Sequence, residues 1–187
     1  MFIPCQDSIL EMTPIDFEKY SLHIMSEQLQ NLDNCTFQHN KIIEVDDGNY
    51  QIDGYIEFNL MGIDYKTIVE CKHYKNSISR EKVAVLYDKI RACGANKGVL
   101  ISSSNFQSGA VQFASKHGIA LIQLTDSDSL YETRSGFNGQ NNLFAIPQKK
   151  INSYVGVMQT GDENKVSCSY LSNTKLILKE FLFDKII

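Results

Sequence analysis

The sequence predicts an α/β domain, a mixed β-sheet flanked by helices in the order α-β-β-β-α-β-α-β, with a small C-terminal extension. Three observations point to it. Residues Tyr50 to Tyr74 alternate in side-chain type on either side of a short glycine-containing turn, the pattern of a β-hairpin. Two short apolar runs, Lys97 to Ser102 and Ile119 to Leu124, read as strands covered on both faces. Each follows an amphipathic helical stretch that ends in glycine, as right-handed crossovers between parallel strands do.

The elements follow in order. A first helix is expected from about Thr13 to Gln30: Pro14 and Asp16 suit a first turn, and Phe17, Tyr20, Ile24 and Met25 form an apolar stripe. Glu18 lies near the edge of that stripe. Cys35 to Val45 reads as a strand, closed by the turn signal Asp46-Asp47-Gly48-Asn49. After the hairpin, Ser79 is placed to cap a helix whose core face is Val83, Leu86, Tyr87 and Ile90, with Gly94 as its stop. Ser103-Ser104-Asn105 leads to a helix from Phe106 to His117, stopped by Gly118. The domain is expected to span residues 1–125. Within the extension, residues 126–187, Asp126 to Asn142 reads as loop, Leu143 to Met158 as one or two strands, and Gln159 to Asn164 as a turn. The tail, LILKEFLFDKII, is too apolar to stay exposed; packing on the domain, a dimer contact or a further segment would each cover it.

Composition narrows the function classes. There is no run of eighteen apolar residues, so no membrane span is expected, and the first twelve residues lack signal-peptide character. Five scattered cysteines without a C-x-x-C pair suggest reduced thiols in a cytoplasmic protein rather than a disulfide scaffold or zinc ribbon. Net charge is −4, yet Lys66 to Lys97 holds eight Lys or Arg against three acids, leaving −9 on the remainder. Such a basic segment suits a polyanionic partner, and equally the solvated face of a helix.

The hairpin carries the chemistry. Pairing Phe58 with Asp64 or Tyr65 sets Asp53 opposite Val69 or Glu70. Strand periodicity then puts Glu70 and Lys72 on one face and Cys71 on the other. Two carboxylates and an ammonium so gathered suit a hard divalent cation and a phosphate. A solvated Glu-Lys ion pair is the plainer reading of the same three letters.

Taken together, these residues resemble the catalytic domain of Mrr-type restriction endonucleases, within the PD-(D/E)XK nuclease superfamily. The features that carry the likeness are Asp53, Glu70-Cys71-Lys72, Gly94-Ala95, Ser102-Ser103-Ser104, Phe106-Gln107-Ser108, Ala110, Ala114, Gly118-Ile119 and the opening Asp16-Phe17-Glu18, across residues 14–125. Two departures stand out. The acid-Gly-Gly-x-Asp run common in the family is looser here, over Asp47 to Gly54, and Glu70 replaces a frequent Gln.

The resemblance implies a restriction-endonuclease-like fold and a metal-dependent endonuclease acting on double-stranded DNA in restriction or defence. Asp53, Glu70 and the carbonyl of Cys71 would hold Mg²⁺, for which Mn²⁺ substitutes. Lys72 would orient or deprotonate the attacking water or stabilise the pentavalent phosphorus, and Glu18 would hold a water at the cation. Beside it stand residue-based expectations of DNA contact. Lys75, Arg80 and Lys82 are placed to follow the phosphate backbone, and Ser103 and Ser104 precede a helix N-terminus that favours an anion. A homodimer or a partner recognition subunit is expected by analogy. The alternatives are a junction or recombination nuclease, and a catalytically silent DNA-binding or assembly module of the same fold.

Overall fold

The computed structural model describes residues 8–29, 32, 34–60, 62–126, 154–161, 165–171 and 177–183. Its centre is one seven-stranded sheet in the order β1-β2-β3-β4-β5-β6-β7, so every strand lies beside its sequence neighbour. The strands are β1 (Thr36–Val45), β2 (Gly48–Leu60), β3 (Ile63–Lys72), β4 (Lys97–Ser102), β5 (Ile119–Asp126), β6 (Tyr154–Gly161) and β7 (Val166–Tyr170). Only β3-β4 and β4-β5 pair in parallel, and a helix makes each of those two crossovers. The fold is thus the mixed, helix-flanked sheet that the sequence predicts.

The helices start where local chemistry permits. In α1 (Pro14–Gln28), the Thr13 hydroxyl accepts from the Asp16 N–H at 3.2 Å and donates to the Asp16 carboxylate at 2.6 Å. A short 3₁₀ turn, Ile9–Glu11, precedes it. In α2 (Arg80–Ala92), Ser79 holds the cap position without a side-chain cap bond, and Gly94 follows at φ 62°. Helix α3 (Ser108–His117) begins two residues later than the sequence suggests. Phe106 instead bridges to Ile78, and the Gln107 N–H donates to the Ile78 carbonyl at 3.0 Å.

Each face of the sheet has its own core. On one, Phe17, Ile24 and Met25 of α1 pack over Ile56, Val69, Val99 and Ile122. On the other, Leu86 of α2 and Ala110 of α3 cover Ile68, Leu100 and Leu121. Among the described residues no helix is long and apolar enough to cross a membrane.

Beyond β5 the chain stays with the same sheet. Strand β6 runs through Gln159–Gly161, where the sequence suggests a turn, because Gln159 pairs with Leu121 on one side and all three residues pair with Val166–Cys168 on the other. Residues 143–153, read as strand, lie outside the described residues, as do 162–164 of the expected turn. The apolar tail forms α4 (Ile177–Phe183) and packs on the α1 face: Leu178 and Leu182 are fully buried, and the Phe183 ring lies 5.5 Å from that of Phe58. Leu182→Ala is therefore expected to destabilise the protein by about 2–5 kcal/mol, the range for a truncated core leucine. A urea melt measures it, and a loss below about 0.5 kcal/mol would show that α4 is not part of the cooperative core.

Candidate active site

The site forms where β2 and β3 stop pairing. The register Phe58–Tyr65 and Gly54–Val69 selects one of the two expected alignments, and its next step sets Asp53 across from Glu70. The ladder pairs end at Gly54–Val69, and the side chain of Asp53 takes over: its Oδ2 accepts from the Cys71 N–H at 2.8 Å.

A break in β1 makes this possible. The β1-β2 ladder skips Asn40 and Asp53, and Asn40 adopts the left-handed conformation at φ 54°. Before the break, Phe37 packs on the α1 core; after it, Ile43 packs on the α2-α3 core. Strand β2 switches with it, since Ile52 and Ile56 belong to opposite cores. Strict alternation would place these even-numbered residues on one face. Asp53 sits at the switch.

Helix α1 reaches the same point because Gly54 leaves room for it. A Cβ at Gly54 would lie 2.4 Å from Leu22 Cδ2, so the helix rests directly on the strand. Glu18, one helical turn before Leu22, thereby comes close enough for its charge to act on Asp53. Glu18 is held by a residue that sequence reasoning misses: His39 Nε2 lies 2.8 Å from Glu18 Oε2. The missed signal is that His39 shares a strand face with Phe37, but only the packing of α1 tells which acid it meets.

On the α2 face, Lys72 Nζ donates to Glu70 Oε1 at 2.5 Å. Lys89 of α2, also absent from the sequence reading, donates to Glu70 Oε2 at 2.8 Å and to the Gln51 carbonyl at 3.1 Å. Its signal is a position three residues after core residue Leu86, which aims a long side chain toward the sheet. Glu70 itself is only 6% exposed.

The electrostatics follow from this crowding. Burial raises the pKa of Asp53, as does the charge of Glu70, while the Cys71 N–H and Lys72 partly offset them. For Lys72, burial works against the ammonium, but Glu70 outweighs it and holds the pKa above the ordinary lysine value. The Cys71 thiol is buried, which pushes its pKa well up and leaves it inert. Three carboxylates (Glu18, Asp53, Glu70) thus meet two lysine ammonium groups. The donor set fits a hard cation such as Mg²⁺: oxygen ligands with a surplus of negative charge. Among the described residues no three His, Cys, Asp or Glu side chains form a metal cage by themselves. Water and phosphate oxygens would complete the shell, as is usual for Mg²⁺.

A model of the restriction endonuclease family Mrr_cat matches residues 9–133 of the chain. This chain belongs to the Mrr-type restriction endonuclease family. One relative, the type IV methyl-directed restriction enzyme EcoKMrr of Escherichia coli (strain K12), is 33% identical over 76 residues. That match spans 40% of this chain and a quarter (25%) of the relative's length. A crystal structure of a protein of unknown function, AF1548, aligns with a TM-score of 0.44 at 17% identity, over 54% of this chain and 55% of that one. That likeness is too slight to carry an argument.

In this Mrr-type domain the remaining residues singled out from the sequence lie around the loops beyond β3 and β4. Lys75, Arg80 and Lys82 are exposed, and the Arg80 guanidinium stands 5.1 Å from the centre of the Phe113 ring. The Ser103 and Ser104 hydroxyls donate to the carbonyls of Tyr74 and Asn76, at 3.1 and 2.8 Å. They lace the two loops together, and their hydroxyl protons are already engaged within the protein. His73 is structural: it contacts the Ile9 carbonyl at 2.8 Å and lies against the Phe17 ring.

Proposed function

We propose that this domain is a divalent-metal-dependent DNA endonuclease that hydrolyses phosphodiester bonds in restriction or defence against foreign DNA. The observation that carries the proposal is the meeting of Asp53, Glu70 and Lys72 at the end of the β2-β3 ladder, inside an Mrr-type domain. Asp53 and Glu70 would hold Mg²⁺ or Mn²⁺. The carbonyl of Cys71 joins them, because its N–H points to Asp53 and a strand residue's N–H and C=O point the same way. Consistently, the next carbonyl, of Lys72, points toward β4 and accepts from the Ser103 N–H at 3.1 Å. When bound, such a cation supplies Lewis acidity to a water and to phosphate oxygens.

The protein's own groups do the rest. Lys72, an ammonium at neutral pH like any ordinary lysine, has the part of stabilising charge that grows on the phosphate. Glu18, oriented by His39, accepts a hydrogen bond from water on the α1 side of Asp53. Lys75, Arg80 and Lys82 offer exposed positive charge to the backbone of double-stranded DNA. Cutting both strands takes two sites, so the domain would act as a homodimer or beside a recognition subunit. The curated relative is methyl-directed, which makes modified DNA the first substrate to test.

The test is plasmid cleavage, on methylated and unmodified DNA, with Mg²⁺ or Mn²⁺ and with EDTA. Metal-dependent nicking that EDTA abolishes is expected. Folded protein that cuts neither DNA under any metal would overturn the enzyme reading in favour of a silent DNA-binding or assembly module.

A further inference from the structure

We propose that Lys89 is a positioning residue of this site, holding Glu70 and the Asp53 segment of β2 in the geometry that binds the cation; this rests on the nuclease reading above. Past Gly54–Val69 the ladder pairs of β2 and β3 end, while the two acids that must act together lie one step further on. Among the described residues, two side-chain ties cross that gap. One is Asp53 on the Cys71 N–H. The other is Lys89, whose Nζ bonds both the Gln51 carbonyl on β2 and Glu70 Oε2 on β3.

The division of labour at Glu70 supports the assignment. Lys72 takes Oε1 and Lys89 takes Oε2, so each carboxylate oxygen has its own ammonium. Lys72 acts on Asp53 as well, whereas Lys89 reaches Glu70 from α2 and bonds the Gln51 carbonyl. Asp53 and Glu70 would hold the cation, and the Lys89 bond to Oε2 would keep Glu70 in place for it. Lys89 would thus fix one oxygen of Glu70 and leave the other for a ligand role, the arrangement by which outer partners orient ligands. The bond to Gln51 matters equally. It ties Gln51, which pairs with Ile42 of β1 two residues before Asp53, across to Glu70 on β3, next to the one step, Asn40 and Asp53, that the β1-β2 ladder skips.

The experiment measures Mn²⁺ binding to the full chain by calorimetry, without DNA, for wild type, Lys89→Met and Lys89→Arg. Lys89→Met keeps the apolar stem and removes the charge. It is expected to weaken Mn²⁺ binding by about tenfold, and Lys89→Arg to restore most of it. Unchanged or tighter binding by folded Lys89→Met would overturn the proposal, since Lys89 would then be a bystander or a competitor of the metal. A metal-free measurement covers variants that fail to fold. The Lys89 ammonium resonance in wild type is expected to be slow to exchange, and to become fast in Glu70→Gln; indifference to Glu70→Gln overturns the tie. Wild-type protein that binds no Mn²⁺ would instead strike at the nuclease reading, and the NMR result alone would then decide whether Lys89 holds Glu70.

Discussion

Lys72→Ala is expected to slow metal-dependent DNA cleavage by about 10²–10³-fold, the usual loss when one preorganised charge-stabilising group is removed. The fold should survive. Glu70 keeps its second partner, Lys89, and Lys72 lies at the last residue of β3, partly exposed. A lysine ammonium is kept across the whole neutral range, so cleavage should show no dependence on losing that proton near pH 7. Lys72→Arg retains charge but not the compact ammonium, and should recover only part of the rate. Single-turnover nicking of a supercoiled plasmid measures all three. Cleavage by Lys72→Ala within threefold of wild type would remove Lys72 from the mechanism.

Asp53→Asn should abolish cleavage and yet make the metal-free protein more stable at neutral pH. Burial and the neighbouring Glu70 raise the pKa of Asp53 above the ordinary 3.8, so the folded state binds its proton more tightly than the unfolded chain does. Stability therefore falls as pH rises from 3.8 through the folded-state value, and the penalty is fully present above that value. The amide carries no charge and its oxygen still accepts from the Cys71 N–H, so the variant escapes the penalty. Thermal melts in EDTA should show the variant's advantage at pH 7 shrinking as the solution approaches pH 4. Mg²⁺ should raise the melting temperature of the wild type and leave the variant unmoved. A variant less stable than wild type at pH 7 would mean that the ionised carboxylate is a structural asset rather than a strained functional group. By the same linkage, Mg²⁺ binding to the wild type should weaken with falling pH earlier than at an ordinary carboxylate site, because the proton competes for Asp53.

How the sequence relates to the structure is seen best residue by residue. Glu70, Cys71 and Lys72 could be assigned to opposite faces from strand periodicity alone, and Gly94 and Gly118 end their helices as the sequence suggests. The hairpin register was open by one residue because a one-residue slip is decided by which side chains the core accepts, which is a non-local matter. The turn expected at Gln159 failed for a related reason. Polar residues there are compatible with a loop, but pairing with β5 and β7 on both sides overrides that preference.

The sequence by itself determined the order of elements, the hairpin and the grouping of Glu70 with Lys72, since alternation, helical spacing and turn chemistry act over a few residues. Only the tertiary structure decided that Asn40 breaks β1 and turns β2 to its other face at Asp53. It alone brought Glu18 with His39 down over Gly54, laid Lys89 against Glu70, and folded α4 onto the α1 core. Each of these joins residues far apart in the chain, through the packing of a helix on a sheet. No local pattern encodes such a contact, because its energy exists only once the two faces meet.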